Sequence, residues 1–170
     1  MRALSSAHVI LSVALAATLS LGTACDDDND PIGPGEEAAF DATLTGAAER
    51  PDPVTTDASG SASVEVDGET VSFEIEVEDI DEVTMAHIHV GGTAIAGPVV
   101  VTLFNTSTPE SFTDRETLAE GTFTEDDIEP AGGIVTLDDL VAAMEAGNTY
   151  INVHTTANPA GEIRGQLIER

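Results

Sequence analysis

From Val71 to Glu78 the chain alternates without a break. Val71, Phe73, Ile75 and Val77 are apolar, and Ser72, Glu74, Glu76 and Glu78 are polar or charged. A period of two is the period of a β-strand with one buried and one wet face, and a helix cannot segregate these residues. Asp67-Gly68 separates this strand from Ser61–Val66, as a hairpin turn does. Further strands are predicted near Phe40–Leu44, Thr84–Val90, Val99–Phe104, Thr117–Thr124, Thr149–His154 and Glu162–Ile168. The Val99-Val100-Val101 run reads as a strand covered on both faces. Turn signals at short intervals favour a single antiparallel β-sandwich or barrel.

One helix interrupts the β pattern. Thr136-Leu137-Asp138-Asp139 has the spacing of a capping box, in which the Thr136 and Asp139 side chains satisfy each other's backbone N–H. Leu137, Leu140, Val141 and Met144 then recur at helical spacing, and Gly147 ends the run. The stripe reads as a helix packed on the sheet.

The N-terminus has a different character. Val9–Leu21 is apolar but for Ser12, Thr18 and Ser20, which is too short for a membrane span of about 20 apolar residues. Gly22-Thr23-Ala24-Cys25 follows, and small residues before a cysteine resemble the lipobox of bacterial lipoproteins. In that family the cysteine is lipidated and becomes the new N-terminus. Leu21 stands four residues before Cys25, where the family usually has leucine three before, and Gly22 and Ala24 also suit ordinary secretory cleavage at the same bond. The expectation is therefore a signal peptide over 1–24 and lipid attachment at Cys25, or plain secretion. Residues 25–37, with Asp26-Asp27-Asp28 and the Pro31, Gly33, Pro34, Gly35 cluster, read as an acidic flexible tether. Residues 38–170 make one domain, about 130 residues being an ordinary domain size. Cys25 is the only cysteine, so that domain has no internal disulfide.

Charge excludes some partners. There are 32 acidic residues against five arginines and no lysine, a formal net charge of −27. Such a surface repels nucleic acid and anionic headgroups. The acids are scattered and form no D-x-[DN]-x-[DN]-G calcium loop, so they read as solvated surface. The expected partners are a membrane, through the anchor, and an unidentified protein or polysaccharide.

The residues with chemistry lie in two strands. His87 and His89 are two apart and share a face with Met85. Tyr150, Asn152 and His154 share a face of the second strand, with Ile151 and Val153 on the other. If the two strands are neighbours, three imidazoles converge, and three histidines with an open position suit zinc or copper. The alternative is a buried polar cluster, in which Asn152, Glu162 and Arg164 satisfy the imidazoles. Glu162 and Arg164 share one face of the last strand, and Arg164 reads as a structural residue holding loop carbonyls or a carboxylate. No Ser-His-Asp spacing, nucleophile elbow or catalytic thiol supports an enzyme, and no glycine-rich phosphate loop is present.

Several segments in order resemble one family. They are Phe40–Pro51, Gly60-Ser61-Ala62, Ala86-His87-Ile88-His89, Gly97–Phe104 and the closing phrase Tyr150–Leu167. Together they are similar to the chordin-type, or CHRD, domain. The resemblance implies a mostly β extracellular module, immunoglobulin-like or a Cu/Zn-superoxide-dismutase-like Greek key, with one short helix. Arg50 and Asp52 depart from the family's opening phrase, and the loop between His89 and Gly97 is shorter than in many relatives. The functional expectation is an exported, lipid-anchored, non-enzymatic binding or structural module of the cell envelope, with a zinc- or copper-binding domain as the alternative. Replacing Cys25 with Ser is expected to move the protein from the membrane fraction to the soluble fraction. Membrane association of that variant resisting a high-salt wash would contradict the anchor.

Overall fold

A computed structural model of the chain describes residues 37–170, so the expected signal peptide, Cys25 and the expected tether up to residue 36 lie outside the described residues, while Glu37 already belongs to the first strand. β1 (Glu37–Thr45), β2 (Ser59–Asp67) and β3 (Thr70–Glu78) form an antiparallel meander. Alternation sets its two faces: Phe40, Leu44, Val64, Val71, Ile75 and Val77 are buried, and Asp41, Glu65 and Glu74 point to water. Gly68, at positive φ, lies in the two-residue turn between β2 and β3. β4 (Ile80–Val90) and β5 (Val99–Phe112) form a long hairpin broken by bulges, and β6 (Glu116–Phe123) returns to pair with β3. β7 (Thr149–Thr155) lies between β4 and β8 (Ile163–Gln166), and β8 meets β1 at Thr45 and Arg164. The expected last strand is divided at Leu167, and the short β9 (Ile168–Glu169) pairs with β1.

The strand order is β5-β4-β7-β8-β1-β2-β3-β6. The edge strands β5 and β6 follow each other in the chain and approach each other in space, so the sheet curls nearly shut. β3 hands over to β4, which is not its neighbour, while β6 returns beside β3. This is a Greek-key crossing. The fold is mostly β, antiparallel and carries one helix, as expected. The sandwich is realised as one continuous, nearly closed sheet.

Inside it, Phe40, Leu44, Val64 and Ile75 of one wall face Ala86, Ile88, Ile151, Val153 and Ile163 of the other. With aromatics at only 4%, the core is built mainly of aliphatic side chains. Each fully buried Val, Leu or Ile contributes roughly 1.5–3 kcal/mol. Val100 and Val101 are both fully buried although β5 ends the hydrogen-bonded order, because the segment after β6 lies over it and Glu129 N donates to Val100 O at 2.8 Å.

The helix α1 (Leu137–Glu145) starts at the expected box: Thr136 Oγ1 accepts from Asp139 N at 3.1 Å, and Asp139 Oδ2 accepts from Thr136 N at 3.0 Å. These bonds hold the Asp139 carboxyl below its ordinary range. Its end is a Schellman motif. Gly147, at φ 64°, donates to Met144 O at 2.9 Å, and Asn148 N donates to Ala143 O at 2.8 Å. Gln166 Nε2 then donates to Gly147 O at 2.7 Å and Gly91 O at 2.8 Å, tying the helix end to β8 and to the end of β4.

Gly165 lies where β8 passes against β1, and a Cβ there would strike the Thr43 carbonyl oxygen and come within 2.9 Å of Leu44 Cδ2. Gly165→Ala is expected to lower unfolding free energy by about 1–3 kcal/mol through forced separation of β1 and β8. Thr136→Ala should lower it by about 1 kcal/mol through loss of the helix cap. Urea denaturation of both variants checks the order; a neutral Gly165→Ala would contradict the close approach.

Candidate metal centre

β4 and β7 pair in register from Met85 to Val90, which sets Met85 opposite His154, His87 opposite Asn152 and His89 opposite Tyr150. Ala86, Ile88, Ile151 and Val153 point into the core. The polar residues therefore share the other face, and three loops cover it: residues 46–58, 91–98 and 156–161. His87, His89 and His154 are 8%, 9% and 6% exposed, just under the surface.

The three imidazoles converge. One ring nitrogen from each lies within 4.8 Å of the others. His87 Nδ1 and His154 Nε2 are 3.0 Å apart. His89 Nδ1 faces Gly97 O at 2.9 Å, and His154 Nδ1 faces Pro159 O at 3.1 Å. A carbonyl only accepts, so both Nδ1 atoms carry the proton, and the Nε2 atoms of His89 and His154 present lone pairs. His89 Nε2 is buried and has no hydrogen-bond partner. The lone pair of His154 Nε2 takes the Nδ1–H of His87. Two nitrogens each about 2.0–2.1 Å from one metal ion stand about 2.9–3.4 Å apart, so an ion replaces this hydrogen bond at nearly unchanged spacing when the His87 proton moves from Nδ1 to Nε2. Backbone carbonyls that fix the remote nitrogen are the usual support of a metal-binding histidine. Burial, with the neighbouring imidazoles adding to it, lowers the His87 and His89 pKa values to about 4. Burial lowers His154 too. All three are neutral at pH 7, the form that ligates.

Asn152, Glu162 and Arg164 are buried on the same face, and their hydrogen bonds run to the covering loops and to neighbouring side chains rather than to an imidazole. Arg164 is 2% exposed and holds the 91–98 loop, donating through Nη1 to Ile95 O and through Nη2 to Gly92 O, both at 2.9 Å. Its guanidinium lies 3.4 Å over the Tyr150 ring, which stacks on His89 at 4.8 Å and 11°. Tyr150 Oη accepts from Gly97 N at 2.9 Å, so the stack and the loop brace each other. Glu162 accepts from the Thr56 and Thr155 hydroxyls, each at 2.7 Å, and from Asn158 Nδ2 at 3.0 Å. Burial would raise the Glu162 pKa, but these three bonds outweigh it and lower it. Asn152 Nδ2 donates to both oxygens of Glu49 at 2.9 and 3.0 Å.

Glu49, Tyr150 and Gly97 are functional neighbours to which sequence reasoning assigned no role. Glu49 is 3% exposed, and burial pushes it up to about 7 against the opposing pull of Asn152 and Arg164. Its only sequence signal was its place in the Gly46–Pro51 phrase.

These shifts have opposite consequences for stability. The histidines bind protons less readily folded than unfolded, so their contribution is complete above about pH 6.5 and is lost as pH falls toward 4. Glu49 binds its proton more readily folded, so its contribution is present below about pH 4.5 and is lost as pH rises through 7. The metal-free protein is expected to gain stability from pH 4 to 6.5, since three groups oppose one. Glu49→Gln should flatten any decline between pH 6.5 and 8. Urea midpoints across this range check both; a wild-type protein most stable at pH 4 would contradict the neutral histidine cluster.

The family model of the CHRD domain matches residues 40–167, which takes in β1 from Phe40 onward, β2 to β8, the helix and the three clustered histidines. Searches of curated proteins and of solved structures return no significant match. By the extent of that match, the chain belongs to the CHRD-domain family.

Proposed function

We propose that this protein is an exported metal-binding module whose centre, His87, His89 and His154, holds zinc or copper. The observation that carries the reading is the convergence of three neutral, buried imidazoles, one of them with a buried Nε2 that nothing among the described residues satisfies. A buried polar atom without a partner costs about 1–3 kcal/mol, and a metal ion would remove that penalty at His89. The purely structural alternative gives His89 Nε2 no partner.

The CHRD family and the leader support an extracellular-type, non-enzymatic role: binding and presenting an ion at the cell envelope. Among the described residues no helix is long and apolar enough to cross a membrane, and the proposed attachment is the lipid at Cys25. More than one acyl chain makes such an anchor stable. The exposed rim of the loops is where a protein or polysaccharide partner of the envelope would meet the site.

The test is metal content of the full-length protein after loading with zinc or copper and removal of excess. About one ion per chain is expected, with a rise in thermal stability on loading of about 2.7 kcal/mol at a hundredfold excess over Kd. The His87→Ala, His89→Ala, His154→Ala variant, folded by circular dichroism, should retain none. Wild-type protein that holds no ion, or a variant that holds as much, would overturn the metal centre.

A further inference from the structure

We infer that the ion this centre prefers is Cu(I), and that the thioether of Met85 completes its ligand set. The inference rests on the reading of the three histidines as a metal centre. Met85, His87 and His89 alternate on one face of β4, and Met85 stands directly opposite His154 in the β4–β7 pairing. Cross-strand partners have Cβ atoms about 4.5–5.5 Å apart, a gap that a methionine side chain is long and flexible enough to cross. Met85 is half-buried, so its side chain is neither locked in the core nor fully in water. Soft sulfur beside imidazole favours Cu(I) over zinc. A thioether also supplies that softness without a thiol's tendency to form disulfides in an oxidising compartment.

Charge points the same way. The donors are three neutral imidazoles. The two buried carboxylates on this face are bonded elsewhere, Glu49 to Asn152 and Glu162 to Thr56, Thr155 and Asn158. The ion therefore keeps its full charge in a buried site, and the penalty for burying charge grows as its square, so a monovalent ion suffers far less than a divalent one. The Arg164 guanidinium, fixed over Tyr150 and through it against His89, adds a positive charge that disfavours the divalent ion further. The acidic surface does not reverse this preference, because salt screens exposed charges over about 8–10 Å.

The experiment is anaerobic competition of the full-length protein for Cu(I) against bicinchoninate, and for Zn(II) against a chromophoric chelator, in wild type and Met85→Leu. Cu(I) is expected to bind more tightly than Zn(II) by about 100-fold, and Met85→Leu to weaken Cu(I) by about 10–100-fold while leaving Zn(II) unchanged. Unchanged Zn(II) affinity shows that the variant keeps its fold. X-ray absorption of the Cu(I)-loaded wild type should show a copper–sulfur shell that Met85→Leu lacks. Zn(II) bound as tightly as Cu(I) or more so, or Cu(I) affinity indifferent to Met85, would overturn this inference and leave the metal centre standing. Binding of neither ion would overturn both.

Discussion

Every residue of β7 from Thr149 to Thr155 is buried, and the strand divides its side chains between two unlike environments. Ile151 and Val153 enter an aliphatic core, while Tyr150, Asn152 and His154 enter a polar layer under three loops. The first set needs only packing. The second must find hydrogen bonds, because a buried polar atom left unmade costs about 1–3 kcal/mol. The rest of the site follows from this demand. The loops close over the strand because they carry the carbonyls of Gly97 and Pro159 and the carboxylate of Glu49 that the layer needs. Two of the four buried atoms left without a partner, His89 Nε2 and Asn152 Oδ1, lie within this layer.

Arg164 shows how few strong contacts hold the cover in place. The other arginines with ion pairs, Arg115 and Arg170, are exposed, and such pairs are worth about 0–1 kcal/mol. Arg164 instead is buried, fixes two carbonyls of the 91–98 loop and lies over Tyr150. Gly97 lets the loop turn back beside β4, where any Cβ would strike the Val90 carbonyl oxygen. The loop needs no length of its own, because the strand beneath supplies its ties. Its brevity relative to many family members is thus compatible with a complete site.

Local and periodic features were legible in the sequence. Alternation gave the strands, the Thr136–Asp139 spacing gave the helix start, and the two-residue step placed His87 and His89 on one face. The side on which Arg164 lies followed from the same rule. Partners across the fold were not legible. Glu49 meets Asn152 across 103 residues and Thr56 meets Glu162 across 106, and no period links a loop residue to a strand that distant. The hydrogen-bond partners of Asn152, Glu162 and Arg164 were hidden for the same reason. Their face was readable, but the loops that reach them first were not.

The polar layer also reconciles an interior of histidines with a chain of net charge −27. Burial keeps the histidines neutral at pH 7 and leaves Glu49 near its midpoint, so neither adds a full uncompensated charge. The Glu162 carboxylate and the Arg164 guanidinium are the two firm charges, each held by its own polar groups and opposite in sign. Among the described residues the other acids are exposed or half-exposed, where water solvates them. Glu74 even faces Glu120 directly across β3 and β6. A layer so balanced has no surplus negative charge to offer a cation. Its attraction must come from lone pairs rather than from charge, and this separates the histidine centre from the acidic surface that surrounds it. An ion that relies on carboxylate oxygens, such as calcium, finds nothing here, while one that binds imidazole nitrogen finds three donors already neutral and two of them already aimed by backbone carbonyls.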